Sequence, residues 1–242
     1  NTVIQFASEI KALRASRCQR AEINWRTAAR FLLEGRLDSR HETFYEGIEQ
    51  IPPGSGFELE LDGAWRQWSF WSLDALPPSV AHDPAATFAE LFEDSVRIRM
   101  RSDVPVGVCL SGGLDSTAII CAAARQRDAS SGIQPEFLQA FCYMAKEFDE
   151  SKYIADTLAQ TRAQLRQLET SPAELWSDLR KLLWFQDEPV HTMTAVVGYQ
   201  LMRLAASHGI RVVLNGQGAD ETIGGYSSYF QDYWVSLIQR GR

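Results

Sequence analysis

Ser111-Gly112-Gly113-Leu114-Asp115-Ser116 puts two hydroxyls and a carboxylate around a pair of glycines, a mixture able to do chemistry on phosphate. An apolar run at 104–110 leads into it, and a helix-forming run at 117–125 leads out. Strand, glycine turn and helix N-terminus aim backbone N–H groups at an anion, and glycine lets the backbone approach it closely. Helix N-termini stabilise a nearby negative charge by only about 0.3–1 kcal/mol, too little for the several charges of a pyrophosphate. Asp115 would itself repel phosphate, yet it makes sense as a ligand bridging to Mg²⁺. The string lacks the Gly-Lys-Ser/Thr ending of a Walker A loop and the GxGxxG spacing of dinucleotide binders. A second glycine loop, 215–218, follows another apolar run at 211–214. Plainer roles stay open beside these. Asp115 can be a helix N-cap, Gly224-Gly225 a bend, Asp149-Glu150 a charge pair at a helix start, and Asp187-Glu188-Pro189 turn chemistry.

Both loops must be positioned by larger elements, and the chain divides into two regions. Residues 1–74 carry short strand-like pieces at 2–6, 43–44, 57–61 and 66–71, with turn chemistry at Pro52-Pro53-Gly54 and Asp62-Gly63. Asp62-Gly63, flanked by 58–61 and 65–68, predicts a β-hairpin. A proline-rich linker at 75–84 follows, and Pro84 starts a helix with an apolar stripe through Phe88, Leu91, Phe92 and Val96. From there to the end of the chain, 85–242, strands and helices alternate. Strands are predicted at 104–110, 137–143, 164–168 and 211–214, and helices at 116–126, 150–160, 172–184 and 193–208. That alternation predicts an α/β fold with a doubly wound parallel sheet. Ligands in such sheets bind at the carboxyl ends of the strands, where both glycine loops fall.

Bulk properties remove other classes. Of 242 residues, 45% are apolar and 23% charged, and no apolar run reaches the roughly 18–20 residues that span a bilayer. No signal-peptide pattern stands at Asn1. A formal charge of −7 argues against a broad nucleic-acid surface, so small molecules are the expected partners. Cys18, Cys109, Cys121 and Cys142 have no metal-ligand spacing and read as small buried hydrophobes in a reducing cytoplasm. Oligomeric state is not legible, and a homodimer stays open.

The first loop resembles the PP-loop of ATP pyrophosphatases, adenine nucleotide alpha hydrolase-like enzymes that cleave ATP between the α and β phosphates. Gly216-Gln217-Gly218-Ala219-Asp220-Glu221-Thr222-Ile223-Gly224-Gly225-Tyr226 is similar to the matching segment of the glutamine-dependent asparagine synthetase family. Phe148-Asp149-Glu150-Ser151 and Asp187-Glu188-Pro189 also resemble it, as does Phe70-Trp71 before the linker. Phe6-Ala7-Ser8-Glu9-Ile10-Lys11-Ala12-Leu13 and Ile51-Pro52-Pro53-Gly54 are similar to the closing part of that family's β-rich Ntn-hydrolase glutaminase domain. The resemblance implies a partial glutaminase domain at 1–74 and an ATP-binding synthetase domain at 85–242. It implies that Ser111, Gly112, Gly113 and Ser116 cradle the β and γ phosphates, while Asp115 and Asp220 hold Mg²⁺ on the pyrophosphate. Two carboxylates overcome their mutual repulsion around one cation. Backbone at Cys109, Leu110 and Cys142 would flank the adenine of ATP, Asn215 and Gly216 would approach the ribose or α phosphate, and Glu221 would support the acyl substrate.

The implied reaction makes an acyl-adenylate from aspartate or another carboxylate and transfers glutamine-derived ammonia, releasing AMP and pyrophosphate. Asparagine-forming members carry glutamate where this chain has Gln217, which cannot bind a cation by charge. Relatives that make another amide or a ring, of the β-lactam synthetase or lasso-peptide cyclase type, therefore stay open, as does a catalytically inactive nucleotide-binding relative. The family's N-terminal cysteine nucleophile and late lysine are not in the 242 residues, so the chain is expected to be a fragment, inactive alone.

Overall fold

A computed structural model describes residues 4–16, 22–38, 40–60, 62–76, 82–129, 138–144 and 149–241. Cys18, Phe137, Phe148, residues 77–81 of the proline-rich linker and the first residues of the predicted strand at 2–6 lie outside them. Two compact units result. One gathers Asn1–Ala81 with Ser177–Ala195, the other His82–Trp176 with Val196–Arg242.

In the first unit, helices α1 (Ile10–Ser16) and α2 (Trp25–Glu34) precede a hairpin of β1 (Ser55–Leu59) and β2 (Trp65–Ser69). The predicted β-rich character is not what the described residues hold: the hairpin supplies their only paired strands in this unit. Residues 4–6 form no strand, and Thr43 and Phe44 sit between two isolated bridges, Ile23–Tyr45 and Glu42–Glu49. The hydroxyl of Thr43 donates to Ile48 O at 2.8 Å, so this pair serves a turn rather than a ladder. Helix α2 forms because Asn24 Oδ1 accepts the Thr27 N–H at 3.3 Å, and it ends at Gly35 with φ +65°. The hairpin is where Asp62-Gly63 predicts it, but Leu59 pairs with Trp65. Its loop therefore spans 60–64 and closes with Gly63 N–H donating to Glu60 O.

The second unit is the α/β body. Its elements are α3 (Pro84–Arg99), β3 (Val106–Cys109), α4 (Leu114–Ala129), β4 (Leu138–Tyr143), α5 (Ser151–Thr161), β5 (Gln164–Leu168), the start of α6 (Pro172–Gln186), most of α7 (Thr194–Ser207), β6 (Val212–Leu214), α8 (Ala219–Ile223) and α9 (Ser228–Gln239). The sheet runs β5-β4-β3-β6 with every pair parallel. Period-2 alternation sends side chains to two faces. Val106, Val108, Leu138 and Ala140 join Val96 of α3, Ile120 of α4 and Ile154 of α5 in one core. Phe141 points the other way and packs with Ala205 of α7 and Ile210. Helices on both faces make the sheet doubly wound, as the alternation predicts. Gly107 is buried on the Phe141 side, and a Cβ there would lie 2.8 Å from the Phe141 ring. A missing side chain thus makes room for the largest fully buried one.

Candidate functional site

Strand β3 occupies the point where strand order reverses, with its chain successor β4 on one side and β6 on the other. Such a switch point opens a crevice at the carboxyl ends of the two strands. Val106 pairs with Val212 and Val108 with Leu214, so the two glycine loops leave the sheet side by side. They touch: a Cβ built on Gly216 would stand 3.0 Å from Asp115 Cβ and 3.4 Å from Ser116 N. A side chain at 216 would have to be accommodated by a shift of a few tenths of an ångström against the head of α4.

The first loop is braced from within. Ser116 is buried, its hydroxyl donates to Gly113 O at 3.2 Å and it accepts from Ser111 N at 3.2 Å. Ser111 Oγ accepts from Gly113 N at 3.2 Å and lies 3.1 Å from Ser116 Oγ. Gly112 has φ +88°, which favours glycine, and packs against the start of α5: a Cβ there would be 2.8 Å from Glu150 Cβ. Leu110 N–H continues the β3–β4 pairing by donating to Phe141 O at 2.8 Å. Cys109 and Cys142 lie on β3 and β4, and burial pushes both thiols up, so they remain protonated and offer backbone rather than thiolate chemistry.

In the second loop, Asn215 Oδ1 accepts the Gln217 N–H at 3.2 Å, and Gly218, at φ +95°, leads into α8. Asp220 is half-buried and Glu221 exposed in the first turn of α8. A hydrogen bond from its own backbone N–H and one from the Tyr226 hydroxyl, 2.8 Å away, hold the Glu221 carboxyl below its ordinary value. The same pairing raises the Tyr226 phenol.

A divalent cation would need Asp115 and Asp220 as its acidic pair. The second loop meets the head of α4 at Gly216, beside Asp115, with Asp220 in the helix that follows. Neither carboxylate has a cationic partner among the described residues. No group of three or more metal-ligating side chains forms among those residues, so other ligands would come from phosphate and water.

The other acidic motifs are structural here. Asp149 accepts the Ser151 N–H at 3.0 Å at the start of α5, and hydrogen bonds from Ser151 hold it below its ordinary value. Asp187 and Glu188 belong to the first unit. Lys11 gives Asp187 Oδ2 both its backbone N–H and its ammonium, each at 3.1 Å, and Tyr45 Oη donates to Asp187 O at 2.9 Å. Glu188 accepts the Phe44 N–H at 2.7 Å. Two open clefts, of about 330 and 900 Å³, also lie in this unit, and no residue of either glycine loop lines them.

Sequence reasoning missed Glu150 as the wall behind Gly112 and Gly225 as a neighbour of Asp220. Only the spacing of Gly225 after Asp220 hinted at the second.

Comparison with known proteins adds family evidence. The asparagine synthase family matches residues 87–240. Glutamine-hydrolysing asparagine synthetase 1 of Bacillus subtilis (strain 168) is 29% identical over 241 residues, covering 99% of this chain and 37% of that protein. Asparagine synthetase 2 of the same organism is 30% identical over 239 residues, covering 92% of this chain and 32% of that protein. The chain thus spans about a third of the length of these relatives. A solved glutamine-dependent NAD+ synthetase from Acinetobacter baumannii, in complex with adenosine diphosphate, aligns at a TM-score of 0.38. Its identity is 18%, over 68% of this chain and 32% of that one, too slight a likeness to bear on the site.

Proposed function

Since the chain belongs to the asparagine synthase family, we propose that it supplies the nucleotide site of an ATP-dependent amide ligase working through an acyl-adenylate. The meeting of the two glycine loops, with Gly216 against Asp115 at the carboxyl ends of β3 and β6, is the observation that carries this reading. In it, the β and γ phosphates sit in the loop of Ser111, Gly112, Gly113 and Ser116, at the N-terminus of α4. Asp115 and Asp220 hold Mg²⁺, which supplies neutralisation of the leaving pyrophosphate. Backbone at Cys109, Leu110 and Cys142 flanks the adenine, while Asn215 and Gly216 approach the ribose or α phosphate. Glu221, kept ionised by its hydrogen bonds, faces the acyl substrate.

The reaction proposed for the whole protein is the one the family resemblance implies. One carboxylate oxygen of the acid, the aspartate side chain, bonds to the α phosphorus as the bond to the bridging oxygen breaks. Pyrophosphate departs with the electron pair. Ammonia released from glutamine then adds to the acyl carbon, AMP leaves, and the surplus proton goes to solvent. Preorganised N–H groups aimed at the departing charge provide the protein's largest contribution. Residues 1–74 are read as the closing part of the glutaminase domain that releases the ammonia.

Gln217 favours a second reading of the acid. Its side chain is exposed and carries no charge, so a relative that activates another carboxylate, closing a ring or forming a different amide, is its natural rival. ATP–pyrophosphate exchange in the native protein separates these. Aspartate-dependent exchange that disappears in Asp115→Ala is expected. Exchange undiminished in Asp115→Ala would sink the site, and exchange indifferent to aspartate would sink aspartate as the acid.

A further inference from the structure

We infer that the Gly224-Gly225-Tyr226 turn is the device that aims the acidic residues of the second loop, with Gly225 a positioning residue for Asp220. The inference rests on Asp220 being a cation ligand, as proposed above, and deepens that reading.

Helix α8 is only five residues long, and the turn that ends it folds straight back onto its first turn. Gly224 adopts φ +74°, and the N–H groups of Gly224 and Gly225 both donate to Asp220 O at 3.0 Å. Gly224 is therefore glycine for backbone reasons, as helix ends commonly require. Gly225 is not, because its φ lies outside the left-handed region. Space is the reason there. A Cβ built on Gly225 would overlap Asp220 Oδ1, and it would lie 2.8 Å from Asp220 Cγ and 3.2 Å from Asp220 Cα. The carboxylate of Asp220 thus fills the volume that any side chain at 225 would need. One residue later, Tyr226 Oη donates to Glu221 Oε1 at 2.8 Å and rests edge-on against Tyr229, ring centroids 5.6 Å apart. A three-residue turn therefore sets the direction of two neighbouring carboxylates.

The consequence is specific to one substitution. Gly225→Ala leaves Asp220 in the chain but forces its carboxylate to another rotamer. The group that must give way is the end of a flexible side chain, so the fold should survive. By contrast, a Cβ on Gly224 meets only Tyr229, at 3.8 Å. Gly224→Ala should therefore strain the backbone without displacing Asp220 directly.

The test is titration of preformed Mn²⁺–ATP into the protein, followed by the enhanced water-proton relaxation of the protein-bound complex against a Mn²⁺–ATP control without protein, with the melting temperature measured alongside. Unmodified protein should bind the cation. Gly225→Ala should weaken it about 10–100-fold, the range for groups that orient metal ligands, at a nearly unchanged melting temperature. Unchanged cation affinity in Gly225→Ala would overturn the positioning role alone. If the unmodified protein binds no Mn²⁺ with ATP, the site reading falls, and the inference with it. Should Gly225→Ala prove unstable, the Asp220→Ala background decides. There the same substitution should change neither melting temperature nor affinity further, because the clashing carboxylate is gone. An equal loss in that background would overturn the inference.

Discussion

Gly112 and Gly113 are neighbours in one loop, yet the structure gives them different reasons to be glycine, and alanine at each should separate the two. At Gly112 the backbone has φ +88°, a conformation costing an L side chain about 1–3 kcal/mol. The new Cβ would also stand 2.8 Å from Glu150 Cβ, 3.2 Å from Glu150 O and 3.4 Å from Ile154 Cγ1. Relieving that means moving the start of α5, an overpacking cost of about 1–3 kcal/mol. The two together give about 2–6 kcal/mol, a large share of the roughly 5–15 kcal/mol that holds a domain folded. Gly113 has an ordinary backbone, and its Cβ would meet only the Ser111 hydroxyl, at 3.2 Å. Alanine there should lie near zero, with about 0.4–1 kcal/mol of unfolded-state gain offsetting the hydroxyl's shift. Urea denaturation of both variants measures the difference. Equal losses, or Gly112→Ala within about 0.5 kcal/mol of the unmodified protein, would refute the packing of this loop on α5.

Two further outcomes test the frame around the site. Phe141→Ala should cost about 3–5 kcal/mol in denaturant unfolding, because the ring is fully buried against Ala205 and Ile210 and across from Gly107. In the first unit, burial holds Glu188 above its ordinary value, with Asp38 and Asp187 adding to the rise and the Phe44 N–H opposing it. Its neutral form favours folding, so that contribution is full below the unfolded glutamate value and is lost as pH rises through the higher folded value. Glu188→Gln keeps an acceptor for Phe44 and removes the titration. Its stability relative to the unmodified protein, measured by denaturation across that window, should therefore increase with pH.

Much of the α/β body is legible in the sequence because its elements are long and periodic. β5 occupies the predicted 164–168, and α6 and α7 differ from expectation only at their ends. Short-range alternation misleads in the first region, where helix α2 stands among residues read only as strand-like pieces and turns. Its signals were present in Asn24 and Gly35, which flank a ten-residue amphipathic run. α9 was missed as well, since its aromatic residues suit strand and helix alike. Both glycine loops were legible as motifs. Their closure was not, because it depends on β3 pairing with β6 across about a hundred residues of chain. Nor could the motif show that Ser116 braces its own loop, that Asp187 anchors to Lys11, or that the space at Gly225 belongs to Asp220.

The central claim is that two glycine loops hold the pyrophosphate end of ATP so that the bond at the α phosphorus breaks. Identifying the products of ATP turnover in the native protein tests it most directly. AMP and pyrophosphate in equal amounts, with neither formed by the Asp115→Ala protein, is the predicted result. Formation of ADP and inorganic phosphate would contradict it.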